Sequence, residues 1–279
     1  ANAHTTFKII EVLFMFPCTP LVVALTEKII PGEDQKVHHN ELQYITEISL
    51  KSPATMIPQA KNELKRMADM AQENLDRSIK GFLNQSDEYL NKIYHREEDI
   101  NNVSHAITDY LVKSNQLSLP LADQKILGSM FYVVNDIERI GDHAENFADY
   151  TKTELKHNTG LTGDAKEEIK KMYEAVSKLL KLSLESFMAQ DGVNTQEDKL
   201  AEIAALEASI DKMERRYQKH HIKRLAKGDC EPRAGLLFSD MLSELERIAD
   251  HSVNIAYSMS DEDEDEMLAA ENEALTTNN

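Results

Sequence analysis

The chain has 279 residues with a formal net charge of −18, few glycines (9) and prolines (7), and no tryptophan. It is rich in Glu, Lys, Leu, Ala and Met, which are strong helix formers, so we expect a mostly helical protein with one large or two small domains. So acidic a surface argues against a nucleic-acid partner and is compatible with multivalent cations. Its two cysteines, Cys18 and Cys230, predict neither a disulfide framework nor a cysteine zinc site, and they fit a reducing compartment.

The N-terminal residues, 1–34, differ from the rest of the chain. Residues 7–25 form a largely apolar run of 19 residues, interrupted by two charged residues and two prolines. The length suits a membrane segment, and a buried helix or a signal peptide are the alternatives. We predict that residues 1–34 are the end of a transmembrane region and that a polar linker follows at 35–52.

Helical patterns occupy most of the remaining sequence. We expect Asp164 to cap the fourth helix and Gly228 to stop the fifth, and a linker at 156–164 to separate the third helix from the fourth. The tail, residues 261–279, contains eight acidic and no basic residues, so we predict that it is disordered. The six predicted helices span about residues 53–82, 86–114, 118–153, 164–190, 195–227 and 231–260.

The same helical signature occurs twice, as ERIGDHAENFA at 138–148 and as ERIADHSVNIA at 246–256, an offset of 108 residues. The two preceding helices match as well, because Glu63 aligns with Glu168 at an offset of 105 and Glu97 aligns with Glu207 at an offset of 110. Three helices that match in the same order indicate a tandem duplication.

Helices joined by short loops pack antiparallel, so each repeat is expected to be a bundle. We therefore predict an all-α fold, a tandem pair of three-helix bundles, preceded by an apolar N-terminal helix. Repeat 1 would cover residues 53–155 and repeat 2 residues 164–260.

The duplicated signature places acids on one helix face. Residues four apart share a face, so Glu138 and Asp142 should lie side by side, as should Glu246 and Asp250. We expect further polar residues of the signature nearby, namely Asp136, Asn146, Glu244 and Asn254. The apolar stripe of the same helix faces the core and consists of Val133, Val134, Ile137, Ile140, Ala144 and Phe147.

Two interpretations of these acids remain open. A cation could bridge them, since oxygen ligands suit hard or borderline metals and a second helix adds acids of its own. That helix supplies Glu207 and Asp211 in repeat 2, but Glu97 and the neutral Asn101 in repeat 1, which predicts weaker binding in repeat 1. Alternatively, the acids form a solvated, salt-bridged face in which Arg139 and Arg247 provide the counter-charge.

Histidines follow both acidic pairs. His143 and His251 could ligate a metal or orient a carboxylate through a hydrogen bond, and we expect the second role. Adjacent helical residues diverge by about 100°, so we place the His38–His39 and His220–His221 pairs on the surface. The sequence contains no glycine-rich phosphate loop, no GxSxG and no HExxH, and we predict that the protein is not an enzyme.

The doubled signature resembles that of a known family. DIERIGDHAENFADY (136–150) and ELERIADHSVNIAY (244–257) resemble the D/E-x-E-R-x-x-D-H-x-x-N-x-A core of PhoU, a two-repeat helical regulator of phosphate uptake. The resemblance covers residues 53–260. ANAHTTF at 1–7, with FP and IIP further on, resembles the last membrane segment of bacterial sodium/phosphate cotransporters, some of which end in a PhoU-like domain.

The resemblance implies a regulatory role in phosphate homeostasis, with a membrane transporter region as partner in the same chain or in another. It also implies contact with phosphate-sensing machinery, self-association, and an inner-membrane location with the helical domain on the cytoplasmic side. A multinuclear metal cluster, of iron or zinc, is implied as cofactor. Its ligands would be Glu97, Glu138, Asp142, Glu207, Asp211, Glu246 and Asp250.

Three hypotheses follow from the residues and the resemblance. The first is a regulatory domain of a sodium/phosphate cotransporter, and the second is a free-standing PhoU-type regulator. The third, a carboxylate-bridged metalloenzyme, requires Glu-x-x-His motifs on facing helices, whereas here the histidine directly follows an aspartate. We rank it last.

Overall fold

The computed structural model describes residues 42–46, 53–157, 160–189 and 193–258, and these ranges contain six helices and no strand. The predicted all-α fold, with a three-helix bundle for each repeat, is therefore confirmed. The apolar segment 1–34 and the acidic tail 261–279 lie outside the described residues. The helices are α1 (Pro53–Leu83), α2 (Leu90–Asn115), α3 (Leu121–His157), α4 (Gly163–Met188), α5 (Val193–Lys227) and α6 (Pro232–Tyr257).

Each repeat is a bundle in which the first and third helices share the largest contact, α1 with α3 and α4 with α6. The second helix of each repeat, α2 or α5, packs against both of the others. The stripe predicted for α3 is buried, from Val133 to Phe147, as are the equivalent phenylalanines Phe82 and Phe187. The buried apolar residues of both repeats belong to one hydrophobic core.

The repeats meet along two seams, α1 with α4 and α3 with α6. In the first seam, Gln72 Nε2 donates to Ser177 Oγ at 3.3 Å, and these positions are equivalent under the repeat offset of 105. Because equivalent positions meet, an approximate twofold axis relates the repeats. The buried Lys61 adds a contact, since its Nζ donates to the Phe187 carbonyl at 3.0 Å.

The ends of the helices depart from the sequence expectation at one cap. Gly228 ends α5 with a φ of +75°, as predicted. The predicted cap Asp164 instead lies in the first turn of α4, because Thr162 has the extended backbone of a cap and its Oγ1 accepts from the Ala165 N–H at 3.2 Å.

His221 is buried, contrary to the expected surface position of the pair at 220–221. A Cβ on residue 235 would lie only 2.4 Å from its ring, so Gly235 provides the space that the imidazole occupies. The ring also packs on Phe238, with centroids 5.4 Å apart. The other predicted surface pair, at 38–39, lies outside the described residues.

The predicted inner-membrane location is wrong. Among the residues that the structure describes, no helix combines the length and the apolar character that a membrane crossing demands. The segment on which that prediction depended, 1–34, lies outside the described residues.

Candidate functional site

The two signature helices, α3 and α6, exchange histidine contacts across the seam between the repeats. His143 Nδ1 hydrogen-bonds to the carboxylate of Glu244, and His251 Nδ1 hydrogen-bonds to Asp136 Oδ1 at 2.8 Å. The offset of 108 makes the two histidines equivalent, and likewise the two acids. The histidine of each repeat therefore hydrogen-bonds to the acid of the other repeat. We call His143, Glu244, His251 and Asp136 the inter-repeat clasp.

The clasp carboxylates accept further hydrogen bonds from signature residues. Asn146 Nδ2 donates to Glu244 Oε2 at 3.2 Å and Tyr150 OH to Glu244 Oε1 at 3.2 Å, while Asn254 Nδ2 donates to Asp136 Oδ1 at 3.4 Å. Burial alone would raise the pKa of Glu244, but the bonds from His143, Asn146 and Tyr150 hold that pKa below its usual value. These bonds favour the carboxylate form of Glu244, whereas the buried Nε2 of His143 has no hydrogen-bond partner.

This geometry settles the role of the histidines and corrects the position of four polar residues. His143 and His251 orient carboxylates, as expected from the sequence. Four polar residues that the sequence pattern predicted near the acids lie instead in the seam between the repeats. They are Asp136, Asn146, Glu244 and Asn254. The reason is helical geometry, because residues two apart, such as Asp136 and Glu138, diverge by about 200°.

The opposite face of α3 carries an acidic cluster with α2. The first cluster consists of Glu138, Asp142 and Glu145 of α3 and Glu97 of α2. Glu97 is only 3% exposed, and neither of its carboxylate oxygens has a hydrogen-bond partner. Burial, followed by the nearby charges of Asp142, Glu145 and Glu138, raises the pKa of Glu97 to about 8. The carboxylate lacks the counter-charge that a buried acid ordinarily has.

A glycine allows Glu97 to occupy this position. A Cβ on Gly141 would lie 2.7 Å from Glu97 Oε2 and 3.3 Å from Ile100 Cγ2, so the carboxylate lies directly against the backbone of α3. Repeat 2 has Ala249 in place of this glycine, and its counterpart of Glu97, Glu207, is only partly buried. The sequence analysis missed Gly141, although the difference between IGDH and IADH marks it.

The second cluster joins Glu207 and Asp211 of α5 to Glu246 and Asp250 of α6. Burial and then the charges of Asp211 and Asp250 raise the pKa of Glu207. Burial, followed by the charge of Asp250, raises the pKa of Glu246. Burial, followed by the charge of Asp211, raises the pKa of Asp250. The structure therefore brings these four acids within electrostatic reach of one another. Glu145 and Glu214, one turn beyond Asp142 and Asp211, are further acids that the sequence analysis did not select.

The salt-bridge interpretation accounts for part of each cluster. Arg139 donates to Asp142 at 3.3 Å and Arg215 to Asp211 at 3.0 Å, both at exposed edges. The buried oxygens of Glu97 and the buried Oδ1 of Asn101 lack a hydrogen-bond partner. Within the described ranges, no three His, Cys, Asp or Glu side chains are close enough together to hold a metal ion as they stand. The first cluster thus contains buried oxygen atoms, those of Glu97 and Asn101, that no protein donor satisfies.

Comparison with known proteins decides the family. The model of the PhoU domain matches residues 64–151 and 169–259, one match for each repeat. The chain belongs to the PhoU domain family. The clasp and both acidic clusters lie within the matched ranges.

Two curated PhoU relatives match most of their own length. The "Phosphate-specific transport system accessory protein PhoU homolog 1" of Thermotoga maritima is 20% identical over 196 residues, which cover 70% of this chain and 82% of the relative. The "Phosphate-specific transport system accessory protein PhoU homolog" of Clostridium acetobutylicum is 23% identical over 199 residues, covering 71% and 87%.

Solved PhoU structures share the fold. The crystal structure of PhoU from Pseudomonas aeruginosa superposes with a TM-score of 0.66 at 19% identity, covering 75% of this chain and 98% of that one. The "phosphate transport system regulatory protein PhoU" of Streptococcus pneumoniae gives 0.65 at 19% identity, covering 75% and 96%. The PhoU resemblance of the sequence is thereby confirmed.

Removing one clasp histidine should destabilise the PhoU fold. In His143→Gln, the carboxylate of Glu244, which is 8% exposed, loses its principal partner. We expect the free energy of unfolding at pH 7 to fall by about 1.5–3 kcal/mol, measured by urea denaturation. The exposed His105 is the matched control, and His105→Gln should change the free energy of unfolding by less than about 0.5 kcal/mol. Equal losses of stability in both variants would contradict the prediction that the hydrogen bond between His143 and Glu244 stabilises the fold.

Neutralising Glu97 should have the opposite effect. Because its pKa is raised from 4.5 to about 8 on folding, the folded state binds the extra proton between these values, and stability falls as the pH rises through that window. In chelator-treated protein at pH 8, Glu97→Gln should therefore raise the free energy of unfolding by about 2 kcal/mol. The same variant should also lack about 2 kcal/mol of the decrease in the free energy of unfolding that the wild type shows between pH 5 and pH 8.

The neighbouring acid provides the control. Glu98 is 72% exposed on the same helix, so Glu98→Gln should leave both the stability and its pH dependence unchanged. A Glu97→Gln protein that is less stable than the wild type at pH 8 would show that the carboxylate has a favourable partner.

Proposed function

We propose that this chain is a non-enzymatic regulatory domain of phosphate transport, which acts on a membrane transporter component. The observation that carries the proposal is the match of the PhoU domain to both repeats, each with a complete signature helix. Curated relatives of similar length are named accessory proteins of a phosphate-specific transport system. In the clasp, His143 and His251 join the two repeats, which agrees with a role for these signature residues in the structure of the domain.

The proposal includes a metal cation at the acidic clusters. The residues that would hold it are Glu97, Glu138 and Asp142 in repeat 1, and Glu207, Asp211, Glu246 and Asp250 in repeat 2. Carboxylate oxygens suit hard and borderline cations. The unpartnered oxygens of Glu97 and the space that Gly141 leaves for them support this fit. Bound there, the ion would supply positive charge to the clusters. The family resemblance names iron or zinc.

Binding of a cation at the first cluster would stabilise the packing of α2 against α3. Glu97 belongs to α2, whereas Glu138 and Asp142 belong to α3, so their repulsion acts between helices that must stay packed. A positive charge that removes this repulsion stabilises the bundle by mass action. The surface of the domain would thereby respond to occupancy, as a regulatory module requires.

Two parts of the proposal depend on the sequence alone. The cotransporter context comes from residues 1–34, and a transporter region in the same chain or in a separate chain fits the proposed role equally. Contact with phosphate-sensing machinery and self-association stay predictions of the same kind.

The role can be tested in cells that lack the gene for this chain. We expect the uptake of radiolabelled phosphate, or its response to external phosphate, to change on deletion and to recover with the wild type and with Glu98→Gln. A variant that neutralises the first cluster, Glu138→Gln combined with Asp142→Asn, should recover regulation only in part. Unchanged uptake and unchanged response after deletion would refute a role in phosphate transport.

A further inference from the structure

A pocket that neither the clasp nor the acidic clusters use opens in repeat 2, between the start of α4 and the end of α5. Its volume is about 370 Å³. Its walls carry balanced charge, three acids and three basic residues besides a histidine. They are Asp164, Glu167, Glu168 and Lys171 on α4 and His220, Lys223 and Arg224 on α5.

The equivalent place in repeat 1 holds a bent segment of the chain itself, residues 42–46. Under the offset of 105, Glu168 corresponds to Glu63 and Lys171 to Arg66. The main-chain N–H groups of Gln43 and Tyr44 donate to Glu63 Oε2 at 2.9 and 2.7 Å. The next residue of that segment, Ile45, is buried in the hydrophobic core. In repeat 1, this carboxylate therefore binds two consecutive N–H groups of a main-chain bend, because both groups point to the same oxygen.

In repeat 2, the corresponding carboxylate retains hydrogen-bonding capacity. Glu168 Oε1 pairs with His220 Nδ1 at 2.6 Å, and Oε2 pairs with Arg224 Nη2 at 2.8 Å. Each carboxylate oxygen can accept a second bond. The guanidinium of Arg224 lines the pocket beside this carboxylate, so donors and acceptors lie together in its wall.

We propose that this pocket binds a bent main-chain segment of a partner polypeptide. The segment would donate two consecutive main-chain N–H groups to Glu168, as residues 43 and 44 do to Glu63, and would offer a carbonyl oxygen to Arg224. A peptide backbone presents both donors and acceptors, which matches walls of balanced charge, whereas the acids at 167 and 168 repel a phosphate ion. A second copy of the chain is a weaker candidate, because its own segment 42–46 is bound at Glu63.

A labelled peptide of the sequence ELQYITE, residues 41–47, serves as the probe because its central residues already bind the equivalent place. Added to the purified full chain, it should give saturable fluorescence anisotropy. Glu168→Gln should weaken binding at least about tenfold, since bonds to a charged acceptor are the stronger kind. Glu174→Gln, at an exposed position of α4 outside the pocket, is the matched control and should bind as the wild type does.

Two further variants identify the site. Lys223 is exposed at the edge of the pocket, so Lys223→Trp should narrow it and weaken binding without disturbing the salt bridges of Glu168. Glu63→Gln should leave binding of the added peptide unchanged if it occupies repeat 2.

Three outcomes would overturn the proposal: no saturable binding to the wild type, binding that persists in both Glu168→Gln and Lys223→Trp, or displacement of the peptide by millimolar inorganic phosphate, which would make the pocket an anion site. The measurement uses purified protein and is independent of phosphate uptake in cells, so it can fail while the proposed function stands.

Discussion

The exchange of histidines between the two repeats is the interaction on which the rest of the site depends. Each signature helix gives its histidine to an acid of the other, which fixes the rotation of α3 and α6 about their axes. At about 100° per residue, Asp136 and His143 lie on one side of α3, whereas Glu138, Asp142 and Glu145 lie on nearly the opposite side. Once the clasp forms, the acids must face α2 and α5.

The two acidic clusters differ in burial as well as in ligand types. Asn101 in place of an acid had favoured repeat 2 as the stronger metal site. The structure instead buries Glu97 of repeat 1 without a partner, because Gly141 lets it approach the backbone of α3. A buried carboxylate without a counter-charge favours a cation more strongly than an exposed one that water screens, so burial and the missing acid have opposite effects on the proposed cation site of repeat 1.

Local sequence patterns predicted the helices, the buried stripe of α3 and the helical stop at Gly228, because each depends on neighbours along the chain. The repeat offset also predicted that both halves form the same bundle. Pairings across the seam were beyond such patterns, since the partner of His143 is 101 residues away. The burial of His221 and of Glu97 depends on glycines of other helices, Gly235 and Gly141, whose packing role no local pattern indicates.

We propose that the opposite faces of the signature helix have separate roles. One face joins the repeats, and the other binds a cation. Asp136 and Asp142 test this proposal, since they are the same residue type on the two faces. The measurement is the thermal midpoint of chelator-treated protein before and after zinc addition. Asp142→Asn should keep or raise the metal-free midpoint, since it removes a charge that repels Glu97, and should lose most of the zinc-induced rise. Asp136→Asn should lower the metal-free midpoint and keep the rise. A wild type that zinc does not stabilise, or two variants that behave alike, would contradict the claim.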